Sequence, residues 1–132
     1  MIKVFVYGTL KRGFPNHRFL SFSKFLGQAI SLEKYALVDN GSFPYACKRG
    51  IKKAHILGEI FEINEKILIN LDSLEGYPNL YKRKKGEFLL LNGMPCEAYI
   101  YFVEDFKPYP FCPTKQILIL DKVYNCFYYP KK

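Results

Sequence analysis

The segment NEKILINLDSLEGYP, residues 64–78, constrains the fold more than any other part of the chain. Asn64 is a favourable N-terminal cap, and Glu65 suits the positive end of a helix dipole. Apolar residues then recur at the spacing of one helix face, at Ile67, Leu68, Leu71 and Leu74. Gly76 suits the left-handed residue that ends a helix, and Pro78 prevents its continuation. The segment therefore predicts one firm helix, from Asn64 to Glu75.

Strand patterns dominate the rest of the chain. Lys3–Tyr7 is rich in β-branched and aromatic residues, which is typical of a buried strand. His55–Ile63 is also expected to be a strand, with Gly58 marking a bulge or a close backbone contact. Asn92-Gly93 is the strongest hairpin signal. Further predicted elements are strands at Gly86–Leu91 and Cys96–Val103, a strand at Gly27–Val38 with a break near Glu33-Lys34, a short helix at His17–Phe25 and a turn at 39–42.

Many strands, one firm helix and a hairpin predict an α+β fold. At 132 residues, with no repeat or linker in the sequence, we expect a single domain over residues 1–132. The sheet is expected to be small and curved or closed, with the helix packed at its side.

A net charge of +8, from 20 Lys and Arg against 12 Asp and Glu, raises the question of a polyanionic partner. However, the sequence contains no zinc finger, no RNP-like aromatic element and no helix-turn-helix pattern. We interpret the basic run Lys82–Lys85 as the solvated start of a strand. The sequence thus predicts no nucleic-acid partner, and nucleic-acid binding remains a hypothesis that rests on charge alone.

The cysteines and histidines lack the spacing of a zinc site; they are Cys47, Cys96, Cys112, Cys126, His17 and His55. No apolar stretch approaches the ~18–20 residues of a membrane span, and the N-terminus lacks the pattern of a secretion signal. We therefore expect a reduced cytoplasmic protein with no metal site and no membrane association.

The catalytic motifs of common enzyme classes are missing, including the Gly-x-Ser-x-Gly elbow, the phosphate loop and the dinucleotide fingerprint. What remains is a cofactor-free site that uses backbone donors and one acid/base residue. Glu75 is the candidate, because an anion at a helix C-terminus is disfavoured and burial would raise its pKa further. A solvent-facing Glu75 is the alternative that the pattern alone leaves open.

Two stretches taken together, VFVYGTLKRGFPNHRFL and LDSLEGYPNLYKRKKG, resemble the γ-glutamylcyclotransferase-like (AIG2-like) family. Within it, the similarity is greatest to the γ-glutamylamine cyclotransferase branch. The resemblance covers roughly residues 2–103. It implies a small mixed β-barrel-like sheet with flanking helices and a cavity at one end.

The resemblance also implies a site and a reaction. Tyr7, Gly8, Thr9 and Leu10 would line the cavity and hold a γ-glutamyl group, largely through backbone hydrogen bonds. Glu75 would be the acid/base residue, and the substrate's own α-amine would attack its γ-carbonyl to release 5-oxoproline and an amine. Such a reaction needs no cofactor. The partner is a small γ-glutamyl compound, and the sequence carries no signal for its leaving amine or for the oligomeric state.

Other residues have two possible interpretations. Tyr101 shares a strand face with Tyr99, and it is a candidate for substrate binding, with core packing as an equal alternative. We expect Arg83 to form a structural ion pair, His17 to anchor a loop and Asp72 to be an exposed helix carboxylate. The competing function is a non-catalytic domain of the same fold that binds a small metabolite.

Overall fold

A computed structural model describes residues 2–39, 44–50, 52–104, 115–116, 120–121 and 126–130. Its strands in chain order are β1 (Ile2–Val6), β2 (Lys24–Ser31), β3 (Ala36–Asp39), β4 (Pro44–Cys47), β5 (Leu57–Ile63), β6 (Lys82–Leu90), β7 (Pro95–Phe102), β8 (Lys115–Gln116), β9 (Leu120–Asp121) and β10 (Cys126–Phe127). A 3-10 helix, Pro15–Leu20, follows β1, and helix α1, Glu65–Glu75, follows β5.

Within the described residues, five strands close into a barrel in the order β1-β5-β2-β6-β7. Neighbouring strands are antiparallel except β1 and β7, which pair in parallel through Val4 and Tyr99. A second sheet has the order β4-β3-β8, and β9 pairs with β10. The predicted α+β fold with a small mixed barrel is confirmed.

Strand β1 is buried on both faces, which explains why its sequence is a continuous apolar run rather than an alternating one. Phe5 lies in a cluster with residues from each of the other barrel strands, among them Ala29, Ile60, Phe88 and Ile100. This cluster therefore fills the barrel interior. Val4 and Val6 lie on the opposite face, in a second cluster that includes Ile67 and Leu71 of α1.

Helix α1 begins and ends where the sequence predicts. The Oδ1 atom of Asn64 accepts a hydrogen bond from the amide of Ile67 at 2.8 Å. Gly76 has a φ of 66°, and the amides of Gly76 and Tyr77 donate to the carbonyls of Ser73 and Asp72. This pair of bonds is the Schellman motif, and it fixes Glu75 as the last helical residue.

The short helix predicted over His17–Phe25 is confirmed only in its first half, as a 3-10 helix that begins earlier, and its second half is not helical. Pro15 occupies the first turn of the shorter 3-10 helix, which ends at Leu20. Phe22 then takes a left-handed φ of 68°, and Lys24 already pairs with Glu62 as the first residue of β2. The segment is too short and too interrupted for an α-helix, because strand pairing determines its second half.

The other predicted elements are confirmed with shifted bounds. The break near residues 33–34 separates β2 from β3, and the hairpin joins β6 to β7 with Gly93 at a φ of 94°. The run Lys82–Lys85 forms the start of β6, where it pairs with β7. In the predicted turn, residues 40–42 lie outside the described residues.

Gly58 of β5 lies in close contact with the backbone of β1, as its position in the strand predicts. A Cβ atom at Gly58 would lie 2.4 Å from the carbonyl oxygen of Val6 and 2.6 Å from the ring of Phe5. The barrel wall has no space for even a methyl group at this point.

We therefore expect Gly58→Ala to lower the free energy of unfolding by about 1–3 kcal/mol, because the strand must move to relieve the overlap. Urea unfolding measures the change. Gly86→Ala in β6 is the matched control, since its Cβ would meet its nearest neighbour, the Phe88 ring, at 3.4 Å. Equal stability of the two variants would contradict the close contact.

Candidate active site

A cavity of about 120 Å³ lies where β1 ends and α1 ends. Its described lining consists of Phe5, Val6, Tyr7, Gly8, Thr9, Leu10, Asn16, Pro44, Leu74, Glu75, Leu80, Tyr81 and Tyr101. Every residue that the sequence marks as a site candidate is in this set. The cavity is smaller than the ~300–1,000 Å³ of sites for drug-sized ligands, so it suits a group of amino-acid size.

Residues 8–10, which we call the corner, follow β1, and their carbonyl groups accept hydrogen bonds from the same loop and from the 3-10 helix that follows it. The amide of Lys11 donates to the Gly8 carbonyl at 3.1 Å, and the amide of Asn16 donates to the Thr9 carbonyl at 3.0 Å. The Asn16 side-chain amide also donates to the Thr9 hydroxyl at 3.0 Å. His17 Nδ1 lies 3.0 Å from the Leu10 carbonyl. Since a carbonyl only accepts, this nitrogen must carry the proton, and His17 anchors the loop as predicted.

The amide N–H groups of Gly8, Thr9 and Leu10 have a different environment from their carbonyls. They donate to no acceptor among the described residues. Consecutive backbone donors of this kind can bind an anion or a polarised oxygen. Gly8, Thr9 and Leu10 also line the cavity, so their N–H groups are candidates for binding a ligand there.

Gly8 is required at the corner because of a neighbouring ring and not because of a positive φ. A Cβ atom at residue 8 would lie 2.8 Å from Cγ and 3.0 Å from Cδ of Pro44, the first residue of β4. The proline ring is rigid, so it cannot give way as a flexible side chain would. Pro44 thus sets the position of the corner from outside the motif, and sequence reasoning missed it.

Tyr7 lines the cavity, and its hydroxyl ties three strands together. The hydroxyl donates to the Tyr101 carbonyl at 2.8 Å and accepts from the amide of Ala46 at 2.8 Å. Burial raises the pKa of Tyr7 well above its ordinary range, and the charge of Glu75 adds to the increase. The neutral hydroxyl therefore links the end of β1 to β4 and β7, and its proton is already donated to the Tyr101 carbonyl.

Tyr101 also lines the cavity, but its hydroxyl points to α1. It donates to Oδ1 of Asp72 at 2.6 Å, while the Arg83 guanidinium donates to Oδ2 of the same carboxylate. Burial raises the pKa of Tyr101, and the bond to Asp72 raises it further. The ring of Tyr101 thus forms part of the cavity wall, and its hydroxyl proton is donated to Asp72 in a hydrogen bond.

Asp72 connects α1 to the barrel. Its side chain is 22% exposed, and both oxygens accept hydrogen bonds, so the expectation of a solvent-facing helix carboxylate is wrong. The expected structural ion pair of Arg83 is confirmed. The three-residue spacing of Asp72 and Glu75 indicates from the sequence that Asp72 lies near the candidate acid/base residue. The partners of Asp72, however, lie on β6 and β7, and the sequence spacing does not show that these strands are close.

Glu75 is the one carboxyl group among the described residues that line the cavity. Burial raises the pKa of its side chain to about 7. The Schellman motif holds the helix end, and the contacts of Asp72 hold the preceding turn against β6 and β7. A carboxyl in this position can accept and return a proton near neutral pH.

The described residues contain no group of three His, Cys, Asp or Glu side chains that could hold a metal ion. No helix in the described part of the chain is long and apolar enough to cross a membrane.

Residues 4–124 match the sequence model of the family described as "Gamma-glutamyl cyclotransferase, AIG2-like". The chain belongs to this family. Its similarity to γ-glutamyl cyclotransferases, predicted from two short stretches, thus extends over most of the chain.

Relatives in this family come from distant organisms. A protein of Methanocaldococcus jannaschii, provisionally named a γ-glutamylcyclotransferase, is 46% identical over 100 residues, covering 75% of this chain and 82% of that protein. The γ-glutamylaminecyclotransferase of Rattus norvegicus is 31% identical over 122 residues, covering 82% of each chain. The crystal structure of an AIG2-like protein from Mus musculus is 29% identical, with a TM-score of 0.73 over 100% of this chain and 97% of the mouse chain.

The raised pKa of Glu75 makes the stability of this γ-glutamyl cyclotransferase family member depend on pH. With a folded pKa of about 7 against an ordinary 4.5, the folded state keeps a proton that the unfolded chain loses. The stabilisation is complete below pH 4.5 and is lost as pH rises through 7.

Glu75→Gln has no such titration. Relative to the parent, we expect its free energy of unfolding to rise by roughly 2–3 kcal/mol between pH 5 and pH 8. Urea unfolding at both pH values tests this, with Glu65→Gln on the exposed first turn of α1 as the control. A difference between variant and parent that stays constant with pH would show that the Glu75 carboxyl is solvated.

Proposed function

We propose that this chain is a cyclotransferase that releases 5-oxoproline and a free amine from a γ-glutamyl amine, with Glu75 as general acid/base. One observation carries the proposal. Glu75, whose carboxyl pKa is raised to about 7, lines a small cavity together with Gly8, Thr9 and Leu10, whose backbone N–H groups have no acceptor among the described residues. This combination supplies a proton acceptor and an anion-binding wall without a protein nucleophile.

The reaction would begin with proton transfer. The substrate α-ammonium gives one proton to the Glu75 carboxylate, and the resulting amine attacks the γ-carbonyl carbon to form the new C–N bond of a five-membered ring. The site holds amine and carbonyl close together, which replaces the free rotation of a flexible chain with a reactive geometry. The nucleophile belongs to the substrate, so the protein needs only to bind and move a proton.

The second half would return the proton. The negative charge that develops on the carbonyl oxygen, or the substrate α-carboxylate, is stabilised by the amides of Gly8, Thr9 and Leu10. As the tetrahedral intermediate collapses, the bond to the leaving nitrogen breaks and protonated Glu75 gives its proton to that nitrogen. The attacking nitrogen still carries two protons after ring closure, and one of them passes to the departing amine, so the products are 5-oxoproline and a protonated amine, no water is consumed, and Glu75 ends ionised.

Three observations favour a γ-glutamyl amine as substrate over a γ-glutamyl amino acid. The described lining contains no Lys or Arg side chain that could pair with a second carboxylate on the leaving group. Leu74 and Leu80, which are 39% and 54% exposed, give the edge of the cavity an apolar surface. The rat relative that matches over most of this chain is itself named a γ-glutamylaminecyclotransferase.

The test is an incubation with matched γ-glutamyl amines and γ-glutamyl amino acids, followed by quantification of 5-oxoproline. We expect release from the amines, with weaker release when the leaving group carries a carboxylate. Thermal stabilisation by these compounds without any turnover would instead support a metabolite-binding domain and overturn the proposal.

A further inference from the structure

Lys11, the residue directly after the cavity corner, is buried although it carries a charged side chain. The residue is 2% exposed, and its Nζ donates to the backbone carbonyl of Tyr129 at 2.7 Å. The ammonium also lies 3.8 Å from the ring centroid of Tyr128 and 4.9 Å from that of Phe14. Lys11 does not line the cavity. These contacts therefore hold the loop after β1, residues 8–16, which is the substrate-binding loop of the proposed function, and they do not bind the substrate directly.

A buried ammonium requires this kind of environment, because losing its water is unfavourable unless hydrogen bonds and polarisable groups replace it. Burial lowers the pKa of Lys11 to about 8, and the negative charge of Glu59 opposes that effect. The contacts with Tyr129 and Tyr128 therefore compensate for the burial of the charge, and Tyr129 lies 118 positions from Lys11 in the chain.

The C-terminal segment, residues 126–130, which Lys11 contacts, is attached to the rest of the fold by backbone pairing and by buried side chains. The amide of Phe127 donates to the carbonyl of His55 at 2.8 Å, and Phe127 forms a parallel bridge with Ile56. Phe127 and Tyr129 are buried members of the barrel-interior cluster. The Tyr129 carbonyl is thus a fixed point on the barrel.

The corner is also anchored from β5. The amide of Arg12 donates to Oε1 of Glu59 at 2.8 Å, and its Nε donates to Oε2 at 3.3 Å. The guanidinium lies 3.6 Å from the ring centroid of Phe25. Lys11 and Arg12 therefore attach the same loop to two different parts of the barrel.

We propose that Lys11 is a positioning residue whose ammonium fastens the substrate-binding loop to the C-terminal segment and thereby sets the positions of the Gly8, Thr9 and Leu10 amides. The effect on catalysis rests on the proposed function, whereas the fastening of the loop does not. The C-terminal segment lies beyond the roughly 2–103 range of the family resemblance, and in this proposal it is part of the support of the site.

The test compares Lys11→Met, which keeps an unbranched apolar side chain, with Lys66→Met, which removes an exposed lysine of α1. We expect Lys11→Met to lower kcat/KM for 5-oxoproline release about tenfold, mainly through kcat, because the donors shift relative to the substrate. Hydrogen exchange of the Phe14 and Asn16 amides, which close the loop on Lys11 and Thr9, should become at least about tenfold faster. Lys66→Met should match the parent in both measurements.

Tyr128→Leu provides a second route to the same contact. We expect it to change exchange and kcat/KM in the same direction by a smaller factor, and the double variant with Lys11→Met to be no worse than Lys11→Met alone. If Lys11→Met does not fold, Tyr128→Leu alone decides, with faster exchange of the loop amides expected.

Parent-like loop exchange and parent-like kcat/KM in folded Lys11→Met would overturn the proposal, as would fully additive effects in the double variant. The two proposals fail separately. A parent protein that releases no 5-oxoproline removes the proposed function, and the exchange measurement still decides whether Lys11 fastens the loop.

Discussion

Replacing Glu75 with glutamine is expected to lower kcat for 5-oxoproline release by about 10²–10⁴-fold, the contribution typical of a positioned acid/base group. Glutamine keeps the size and hydrogen-bonding shape of the side chain but cannot take a proton from the substrate ammonium. KM should change less, because the three corner amides and the cavity walls remain. Steady-state kinetics on a γ-glutamyl amine measures both constants.

Two controls separate chemistry from folding. Glu65→Gln makes the same change at the other end of α1 and should retain parent activity. Urea unfolding of Glu75→Gln at pH 8 should show a protein at least as stable as the parent, since the variant no longer buries a carboxylate there. In the parent, kcat/KM should rise with pH through about 7, where burial places the pKa of Glu75. Activity of Glu75→Gln within threefold of the parent would mean that another group moves the proton.

Adding a methyl group at Gly8 is expected to lower kcat/KM by about tenfold to a hundredfold, since displacements of the order of 1 Å have effects of this size. The new Cβ would lie 2.8 Å from the Pro44 ring, so the corner must move away from β4. In the proposed function, the amides of Gly8 and Thr9 would then be displaced from the positions in which they bind the substrate.

The Pro44 ring provides the matching rescue experiment. Pro44→Ala removes the atoms that oppose a methyl group at residue 8, so the double variant should lose less activity relative to Pro44→Ala than Gly8→Ala loses relative to the parent. Gly86→Ala, made in a strand away from the cavity, should leave kcat/KM unchanged. If Gly8→Ala is as active as the parent, the packing of the corner on Pro44 does not control the site.

The elements that could be predicted from the sequence are those with local signals. The cap at Asn64, the left-handed Gly76 and the Asn92-Gly93 turn lie within a few residues of the structure they specify, and all three are confirmed. The parallel pairing of β1 with β7, which closes the barrel, has no local signal, because it depends on contacts almost a hundred residues apart.

The same distinction applies to the candidate site. Family resemblance pointed to the corner and to Glu75, and the structure places both at one cavity. The support around them was missed. Asp72 receives bonds from β6 and β7, and Lys11 is buried against the C-terminal segment, although both residue types are ordinarily exposed. These partners are distant in the sequence, so they can be identified only from the folded structure.

The most direct test of the central claim is the identity of the products formed from a γ-glutamyl amine in ¹⁸O-labelled water. Intramolecular attack predicts 5-oxoproline without label, in an amount equal to the free amine. Labelled glutamate in place of 5-oxoproline would show that water is the nucleophile, and it would contradict the mechanism assigned to this site.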